Sequence, residues 1–522
     1  MKKITLFLVT LLGVYTVSAQ SINDALVYSQ NTTFGTARST GIAGAFTALG
    51  ADFGGISINP AGLGLYRKSE FILSPSLSFA KDKADYVGTS ITDKRSSFNF
   101  NNIGLVFSSG ERNKQNRKKE VSPKDWRAVN FAFGFNRLSN YNTRQSISGY
   151  NTETSISDYL AEQANLANVS ANDLLTNIES EYAEASLAFN TYIINPLDVT
   201  ANTYQGIATA TEVDQTQTRV SNGGKNEYLF ALGANYKDRL YLGASFNFDT
   251  YRRKTETSFI EKDPNEVTLL SLNYGNGNAS DILGFKSLNI NRTISETGVG
   301  VNGKFGATYR INQIFRAGLA IHTPTVVQID RDYSTIMGSD FVVIANNNGL
   351  NYDFSESYFY DGNYDYRINT PWQLSTGAAV FLKNFGFISL DYNFVDYSQM
   401  TFSFDSGIED ATLANSLNQS IRDTYTAASN VRLGTEFSRD IFRLRAGYAF
   451  TGSPYRNAPE LSSHTLTGGF GIREKKVYFD AAYAHKMQKD TYSPYSLTVT
   501  EAPKANLKQS RGNVVLTVGV NF

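Results

Sequence analysis

The last ten residues, "NVVLTVGVNF" from Asn513 to Phe522, alternate between large apolar side chains and mostly small or polar ones. Every second residue from Val514 to Phe522 falls on one face of an extended chain, because successive side chains of a β-strand point to opposite sides. The apolar face ends on an aromatic residue at the chain terminus. The pattern predicts a strand with one lipid-like face and one face of small and polar residues.

The same alternation recurs along most of the chain, for example in "RLYLGASFNFDTY" from Arg239 to Tyr251. Such segments predict an all-β protein, a 14-stranded antiparallel transmembrane β-barrel. A soluble sandwich also needs apolar faces, but aromatic residues that recur near strand ends are typical of membrane interfaces. The strands are predicted at 70–82, 97–110, 126–142, 226–238, 239–262, 286–311, 314–335, 352–382, 385–405, 422–438, 441–452, 463–474, 476–492 and 509–522.

The connections alternate in length, as they do in a barrel with short periplasmic turns and long external loops. On the short side lies "ERNKQNRKKE", Glu111–Glu120, which is either a solvated basic turn or a contact for a periplasmic partner or lipid headgroups. The long links fall near 263–285, 336–351, 406–421, 453–462 and 493–508. The tight turns are predicted at Lys237–Asp238, Asn312–Gln313, Lys383–Asn384, Arg439–Asp440 and Glu474–Lys475.

Residues 143–225 form the largest external insertion and are predicted to be partly helical. Ser170 with Asp173 is typical of a helix start. An apolar stripe at three- and four-residue spacing follows, and it either packs the loop onto the barrel rim or captures an apolar ligand. The stripe consists of Leu174, Ile178, Tyr182, Ala185 and Phe189.

The N-terminal residues and the composition indicate the cellular compartment of the protein. Lys2 and Lys3, an apolar run and Val17-Ser18-Ala19 predict a secretory signal peptide over residues 1–19. The chain has no cysteine, so neither disulfides nor thiolate chemistry contribute. It has 48 basic and 48 acidic residues, and this balance argues against a general nucleic-acid binder. The expected location is the outer membrane of a Gram-negative cell.

The segment between the signal and the first strand is rich in glycine and does not alternate. It reads "FGTARSTGIAGAFTALGADFGGISINPAGLGLY" from Phe34 to Tyr66, and it resembles the N-terminal hatch of the FadL family. That family comprises outer-membrane transporters of long-chain fatty acids and other hydrophobic compounds, including the TodX-like proteins. The residues that carry the resemblance are Gly35, Arg38, Gly41, Gly44, Ala45, Asp52, Asn59, Pro60 and Ala61.

The resemblance implies a hatch over residues 20–69 that plugs the lumen of a barrel over 70–522. It also implies passive uptake, in which a ligand follows an apolar path through the lumen and leaves sideways through a gap in the wall. An apolar path spares the ligand about 0.8 kcal/mol of hydration penalty per methylene. Gly134, Asn136 and Pro324 are candidates for kinks at such a gap, or are simple bends.

Three arginines are expected to face the lumen. Arg432, Arg443 and Arg445 either contact a ligand carboxylate or pair with Glu436, Asp391 and Asp480. The histidines His322, His464 and His485 are scattered without an acid or nucleophile at motif spacing, so we expect no enzyme activity, metal or cofactor.

The sequence thus predicts a monomeric channel in outer-membrane lipid for hydrophobic small molecules such as long-chain fatty acids or aromatic hydrocarbons. Nucleic acid is not an expected partner. Phe522 is predicted to serve as a signal for the barrel-assembly machinery. Two alternatives are a non-transporting binding or assembly module, for example a carrier for surface-secreted proteins, and a soluble secreted β-protein.

Overall fold

A computed structural model describes residues 22–32, 35–109, 126–176, 182–198, 202–208, 212–264, 269–272, 281–344, 351–383, 385–404 and 408–522. The predicted signal peptide and the basic segment Glu111–Glu120 lie outside these ranges. Within them, no helix has the length and apolar composition needed to cross a bilayer.

Fourteen antiparallel strands close into one barrel when a strand that continues past a short break is counted once, as predicted. The last strand pairs with the first from Glu70↔Asn521 to Asp85↔Asn506, which closes the wall. The strands are β1 (Glu70–Tyr86), β2 (Thr89–Ser108), β3 (Trp126–Asn140 and Thr143–Asn151), β4 (Val213–Tyr236), β5 (Leu240–Lys262), β6 (Asp281–Arg310), β7 (Phe315–His322 and Val326–Ile344), β8 (Asn351–Asn369 and Gln373–Phe381), β9 (Gly386–Asp396 and Thr401–Ser403), β10 (Ala427–Arg439), β11 (Phe442–Thr451), β12 (Ser463–Arg473), β13 (Val477–Tyr492) and β14 (Ala505–Asn521).

One end of the barrel carries the short connections, here called the turn end. Lys237 and Asp238 both take positive φ in the β4–β5 turn, and Asp440 does so in the β10–β11 turn. In the β8–β9 turn, where Asn384 lies outside the described residues, the Leu382 N–H donates to the Gly386 carbonyl over 2.8 Å. The other end, the loop end, carries the longer connections.

The strands extend further toward the loop end than their alternation predicts. On β5 the outward side chains near the turn end are apolar, as at Leu242 and Phe246, whereas nearer the loop end they are charged, as at Arg252 and Lys254. Strand sections with two polar faces do not alternate in hydrophobicity. For this reason the predicted link 83–96 is wrong, and β1 and β2 instead run to a two-residue turn at Val87–Gly88.

The turn-end half of the barrel is ringed by exposed apolar side chains, the surface expected against lipid. Phe230 and Leu232 on β4 are 48% and 57% exposed, and Phe305 on β6 is 56% exposed. The remaining large members of this belt include Phe107, Phe131, Phe315, Leu390, Phe437, Leu444, Leu466, Phe479, Leu516 and Phe522.

The external insertion is partly helical, with α4 (Ile156–Ala167), α5 (Ala171–Thr176) and α6 (Ala183–Asn190). Ser170 is a helix start as predicted, since its hydroxyl accepts a 3.1 Å hydrogen bond from the Asp173 N–H. The predicted apolar stripe is divided between two helices rather than one, and Ile178 lies outside the described residues. Its buried members pack against the loop-end sections of β5, β6 and β7, so the stripe seals the insertion to the rim. A further helix, α7 (Ile408–Thr424), follows β9.

The chain before β1 lies inside the barrel. Its described residues within 22–69, here called the lumenal segment, form α1 (Ile22–Ser29), α2 (Ala37–Gly41), α3 (Phe53–Ile56) and a 3₁₀ turn (Pro60–Leu65). Nearly all of their side chains are buried against inward residues of the wall. The segment runs from the loop-end half of the lumen down to the turn end, where it enters β1.

Candidate functional site

The lower part of the lumenal segment, residues 35–66, is fastened to the wall around Arg38. The Arg38 Nε lies 3.2 Å from Glu436 Oε2, and its Nη1 donates to the Ala51 carbonyl over 3.1 Å. Arg445 shares the same carboxylate at 2.6 Å and also binds Asp480 at 2.6 Å. Arg38 therefore joins α2, a hatch loop and the wall through one paired charge cluster.

Asp52 organises the segment internally. Its carboxylate caps α3 by accepting a 3.2 Å hydrogen bond from the Gly55 N–H, and it also accepts the Thr36 hydroxyl at 2.8 Å. Thr36 in turn caps α2 through the Ser39 N–H at 3.1 Å. The pair Thr36 and Asp52 thus locks two short helices together, although neither helix is long enough to be stable alone.

Asn59-Pro60-Ala61 packs against the wall in the turn-end half of the lumen. The Asn59 side chain accepts the Ala61 N–H at 3.0 Å, and its amide donates to the Thr47 carbonyl at 2.6 Å. The wall meets this turn with glycines. A Cβ added to Gly243 would lie 2.2 Å from the Pro60 carbonyl carbon, and one added to Gly306 would lie 1.8 Å from Asn59 Oδ1.

Two glycines of the predicted hatch motif, Gly41 and Gly44, lie at the end of α2 and in the turn that follows it. The Gly41 carbonyl accepts the Thr467 hydroxyl at 3.0 Å. Gly44 has a φ of +70°, a conformation that a side chain disfavours.

The helix α1, which lies in the loop-end half of the lumen, is held to the wall by ion pairs. Asp24 contacts the guanidinium groups of Arg253 and Arg331, which both also contact Glu296. These three wall residues are cross-strand partners on β5, β6 and β7. The Tyr28 hydroxyl donates to Glu296 at 2.5 Å. Burial would raise the pKa of Asp24, but the two guanidiniums outweigh burial and lower the pKa to about 2.

The wall is interrupted between β2 and β3. Their ladder covers only seven residue pairs, from Ser108↔Asn130 to Asn102↔Asn136. Among the described residues beyond Asn102, β2 pairs only with β1, and β3 pairs only with β4 across a bulge at Leu138. The strands meet again through side chains, as where the Asn140 amide donates to Ser97 Oγ at 3.0 Å.

The lumenal segment covers the inner side of this wall interruption. The Thr32 N–H donates to the Leu138 carbonyl at 2.8 Å, so the segment replaces a ladder hydrogen bond that β2 does not make. The Ser139 hydroxyl donates to the Gln30 carbonyl at 3.0 Å, and the Asn101 amide donates to the Gly35 carbonyl at 3.0 Å. Any movement of residues 30–32 or Gly35 would expose backbone groups in the wall.

A cavity of about 380 Å³ lies beside α1 in the loop-end half of the lumen. The inward faces of β1 and β9–β14 form most of it, and it reaches Asn140 and Asn142 next to the wall interruption. Of its 34 lining residues, eleven carry side-chain amides and four are charged. The expected apolar path is therefore wrong for this cavity, because residues that face inward from neighbouring strands combine into a polar surface.

Solved structures share this architecture. The chain aligns with a FadL homologue from Pseudomonas aeruginosa at 12% identity, with 95% of this chain and 100% of that chain covered and a TM-score of 0.51. It aligns with the toluene transporter TodX from P. putida at 12% identity, with 95% and 99% covered and a TM-score of 0.50. The chain has the FadL fold. No family model and no curated protein matches the sequence.

On this FadL fold, the three residues predicted as kinks at a lateral gap lie in different parts of the wall. Asn136 is in the last pair of the β2–β3 ladder, at the edge of the wall interruption, and its amide donates to Ser57 Oγ at 2.6 Å. Gly134 lies two residues away against the ring of Phe53. Pro324 lies in the break of β7, where Thr323 and Thr325 remain hydrogen-bonded to both neighbouring strands at 2.9 and 3.0 Å. Pro324 therefore accompanies a bend.

The three arginines predicted to contact a ligand carboxylate or to form ion pairs also differ in position and in partners. Arg445 is committed to Glu436 and Asp480, and the Arg443 guanidinium donates to backbone carbonyls beside it at the turn end. Arg432 alone of the three lines the cavity. Sequence reasoning did not single out Lys486 and Arg511, which line the same cavity; their inward positions in the alternation of β13 and β14 were the available signal.

The histidines do not converge in the structure. His322 contacts the Ile58 carbonyl at 2.9 Å, while His464 and His485 each contact a tyrosine hydroxyl, at 2.7 and 3.1 Å. Among the described residues, no group of three His, Cys, Asp or Glu side chains could hold a metal ion. The absence of catalysis stays a prediction.

Proposed function

We propose that this chain is a member of the FadL family that resides in the outer membrane and admits small hydrophobic or amphiphilic molecules by diffusion. The observation that carries the proposal is the interrupted β2–β3 wall, covered from inside by the lumenal segment within an otherwise closed barrel. A ligand that displaces residues 30–32 and Gly35 gains a sideways route into lipid without crossing water.

The shared fold and the apolar belt support this placement. One structural neighbour is called a toluene transporter, so monoaromatic hydrocarbons are one candidate substrate class and fatty acids another. Within the described residues, no feature favours the alternative of a non-transporting assembly module. The barrel would act as a monomer in outer-membrane lipid, with residues 20–69 as its hatch.

The terminal residue fits insertion by the barrel-assembly machinery. Phe522 is 62% exposed at the turn end, and its N–H donates to the Ser69 carbonyl at 3.0 Å, where the lumenal segment enters β1. An aromatic ring there is available both to an assembly factor and to the lipid interface.

A reversible disulfide bond across the wall interruption tests the proposal. The chain has no cysteine, so Ser97→Cys with Asn140→Cys creates one defined pair, at positions whose side chains are 3.0 Å apart. In liposomes, the oxidised variant should take up labelled laurate or toluene much more slowly than the same variant after reduction.

The matched control places the disulfide bond in the continuous wall between β3 and β4. Ser148→Cys with Thr216→Cys joins two cross-strand partners whose hydroxyls are 3.0 Å apart. Oxidation should leave its uptake unchanged. Equal uptake by the oxidised and reduced forms of the first variant would contradict a lateral route between β2 and β3.

A further inference from the structure

Three cationic side chains line the cavity: Arg432 on β10, Lys486 on β13 and Arg511 on β14. They lie in one cross-strand row of the wall, because the register runs from Arg432 through Ala449 and Thr465 to Lys486 and then Arg511. We call these three residues the cation row. It faces α1 across the cavity.

The charges of the row are compensated unequally. Arg511 binds Asp82 through two contacts of 2.5 and 3.1 Å. The side-chain ammonium of Lys486 has no hydrogen bond or ion pair with any residue in the described part of the chain. The acidic side chain of the cavity, Asp490, is four residues further along β13, roughly 13 Å away at the usual strand rise. An anion that enters the cavity would supply the missing partner of Lys486.

The other residues that line the cavity indicate a ligand with more polar groups than a single carboxylate. Side-chain amides both donate and accept hydrogen bonds, as sugar hydroxyls do. Eleven of them surround the cavity, together with serine and threonine hydroxyls. A carboxylate can use only a few of these groups, whereas a hydroxylated ring could use many. A cavity of about 380 Å³ is also within the range that holds a small ligand.

The cavity opens toward the wall interruption. Ser78 and Asn140, which line it, lie near Ser97 and Asn99 of β2 through hydrogen bonds of 3.0 to 3.5 Å. On the outer side of β2, Phe98 and Phe100 are 64% and 43% exposed. A ligand can therefore place a polar head among the amides while an apolar tail lies near the lipid side.

We propose that the cavity binds an anionic amphiphile with a hydroxylated, sugar-sized head group, and that Lys486 is the counter-ion of its acid. The inference rests on the proposed function for the route of the tail, but binding itself does not require transport.

Three probes with similar tails separate the contributions of charge and hydroxyl groups. Octyl glucuronide carries both, octyl glucoside lacks the acid, and octanoate lacks the sugar ring. Binding to the full-length protein in lipid nanodiscs is measured by calorimetry below the micelle concentrations of the probes. Octyl glucuronide should bind more tightly than either other probe by about tenfold or more, the scale of one charge-assisted hydrogen bond in a desolvated site.

Lys486→Met should remove the preference for the glucuronide over the glucoside and leave glucoside binding unchanged. Lys486→Arg keeps the charge and should retain the preference. The matched control is Lys489→Met, three residues along the same strand but facing outward, which should behave as the wild type. Resistance of the barrel to heat-induced unfolding confirms that each variant is folded.

Octanoate binding as tightly as octyl glucuronide would overturn the inference, as would equal behaviour of Lys486→Met and Lys489→Met, or no binding of any probe. Flux into liposomes is scored separately. If the glucuronide preference is present but no probe or hydrocarbon crosses, the proposed channel function fails and the binding site stands.

Discussion

The two parts of the lumenal segment both form ion pairs with the barrel wall, but only one of them also packs its backbone closely against the wall. α1 is held in the loop-end half by a buried charge cluster, in which Asp24 bridges Arg253 and Arg331. Residues 35–66 also have an ion pair with the wall, Arg38–Glu436, but in addition they make close backbone contacts in the turn-end half, where Asn59 and Pro60 lie against wall glycines.

The difference indicates which part can move. Ion pairs can be broken by protonation or by a competing charge, and the surrounding packing then needs little rearrangement. Backbone contacts that leave no room for a methyl group can be relieved only if the whole segment shifts. We therefore expect α1 to release before residues 35–66, with the covered wall interruption at their junction.

Deletion of residues 35–66 should have the largest effect. A fourteen-stranded barrel without its interior packing encloses an aqueous channel, so single-channel conductance in a planar bilayer should rise from a closed level to that of an open pore. Deletion of α1 alone, residues 22–29, should leave the turn end packed and give far less conductance. Equal conductance of the intact protein and the 35–66 deletion would show that the segment does not seal the lumen.

Asp24→Asn should detach α1 without unfolding the barrel. Removing one partner of a buried ion pair costs about 3 to 5 kcal/mol, because two guanidiniums are left with a single carboxylate. Docking is measured by maleimide labelling of Ala25→Cys, a buried position of α1 and the only thiol in that background. Asp361→Asn, on the exposed outer face of β8, should not change the labelling rate.

Acid should reproduce the effect of Asp24→Asn. The pKa of Asp24 is about 2 when α1 is docked, below its ordinary value of 3.8. The carboxylate therefore stabilises docking fully above about pH 4, and this stabilisation is lost as the pH falls through 2. Because maleimide reacts with the thiolate, labelling at position 25 is compared at each pH with labelling of the unfolded protein. A ratio that is constant from pH 7 to pH 2 would contradict control of docking by Asp24.

The smallest effect tests the close contacts. Gly306→Ala would place a methyl group against Asn59 and should destabilise the docked turn by about 1 to 3 kcal/mol. Gly303→Ala, on the same strand, meets no atom closer than 3.6 Å and is the matched control. Protease cleavage near residue 60 should be faster in the first variant only. Identical cleavage in both would mean that the glycine contact does not hold the turn.

Particular residues show how far sequence reasoning reaches. The turn at Lys237–Asp238 and the helix start at Ser170 follow from local chemistry, and both are present. The two-residue turn at Val87–Gly88 was missed, because strand sections beyond the lipid have two polar faces and lose the period-two signal. The Asn-Pro-Ala turn was recognisable, but its glycine partners on β5 and β6 were not.

By itself, the sequence determined the alternation of each strand, the positions of most tight turns and a glycine-rich segment that had to be packed closely. These are local properties, set by neighbours along the chain. Only the tertiary structure decided that β2 and β3 separate after Asn102↔Asn136 and that Lys486 faces a polar cavity in which no described residue serves as its counter-ion. Both depend on register between distant strands, because a side chain's partners in a barrel come from other strands rather than from its own.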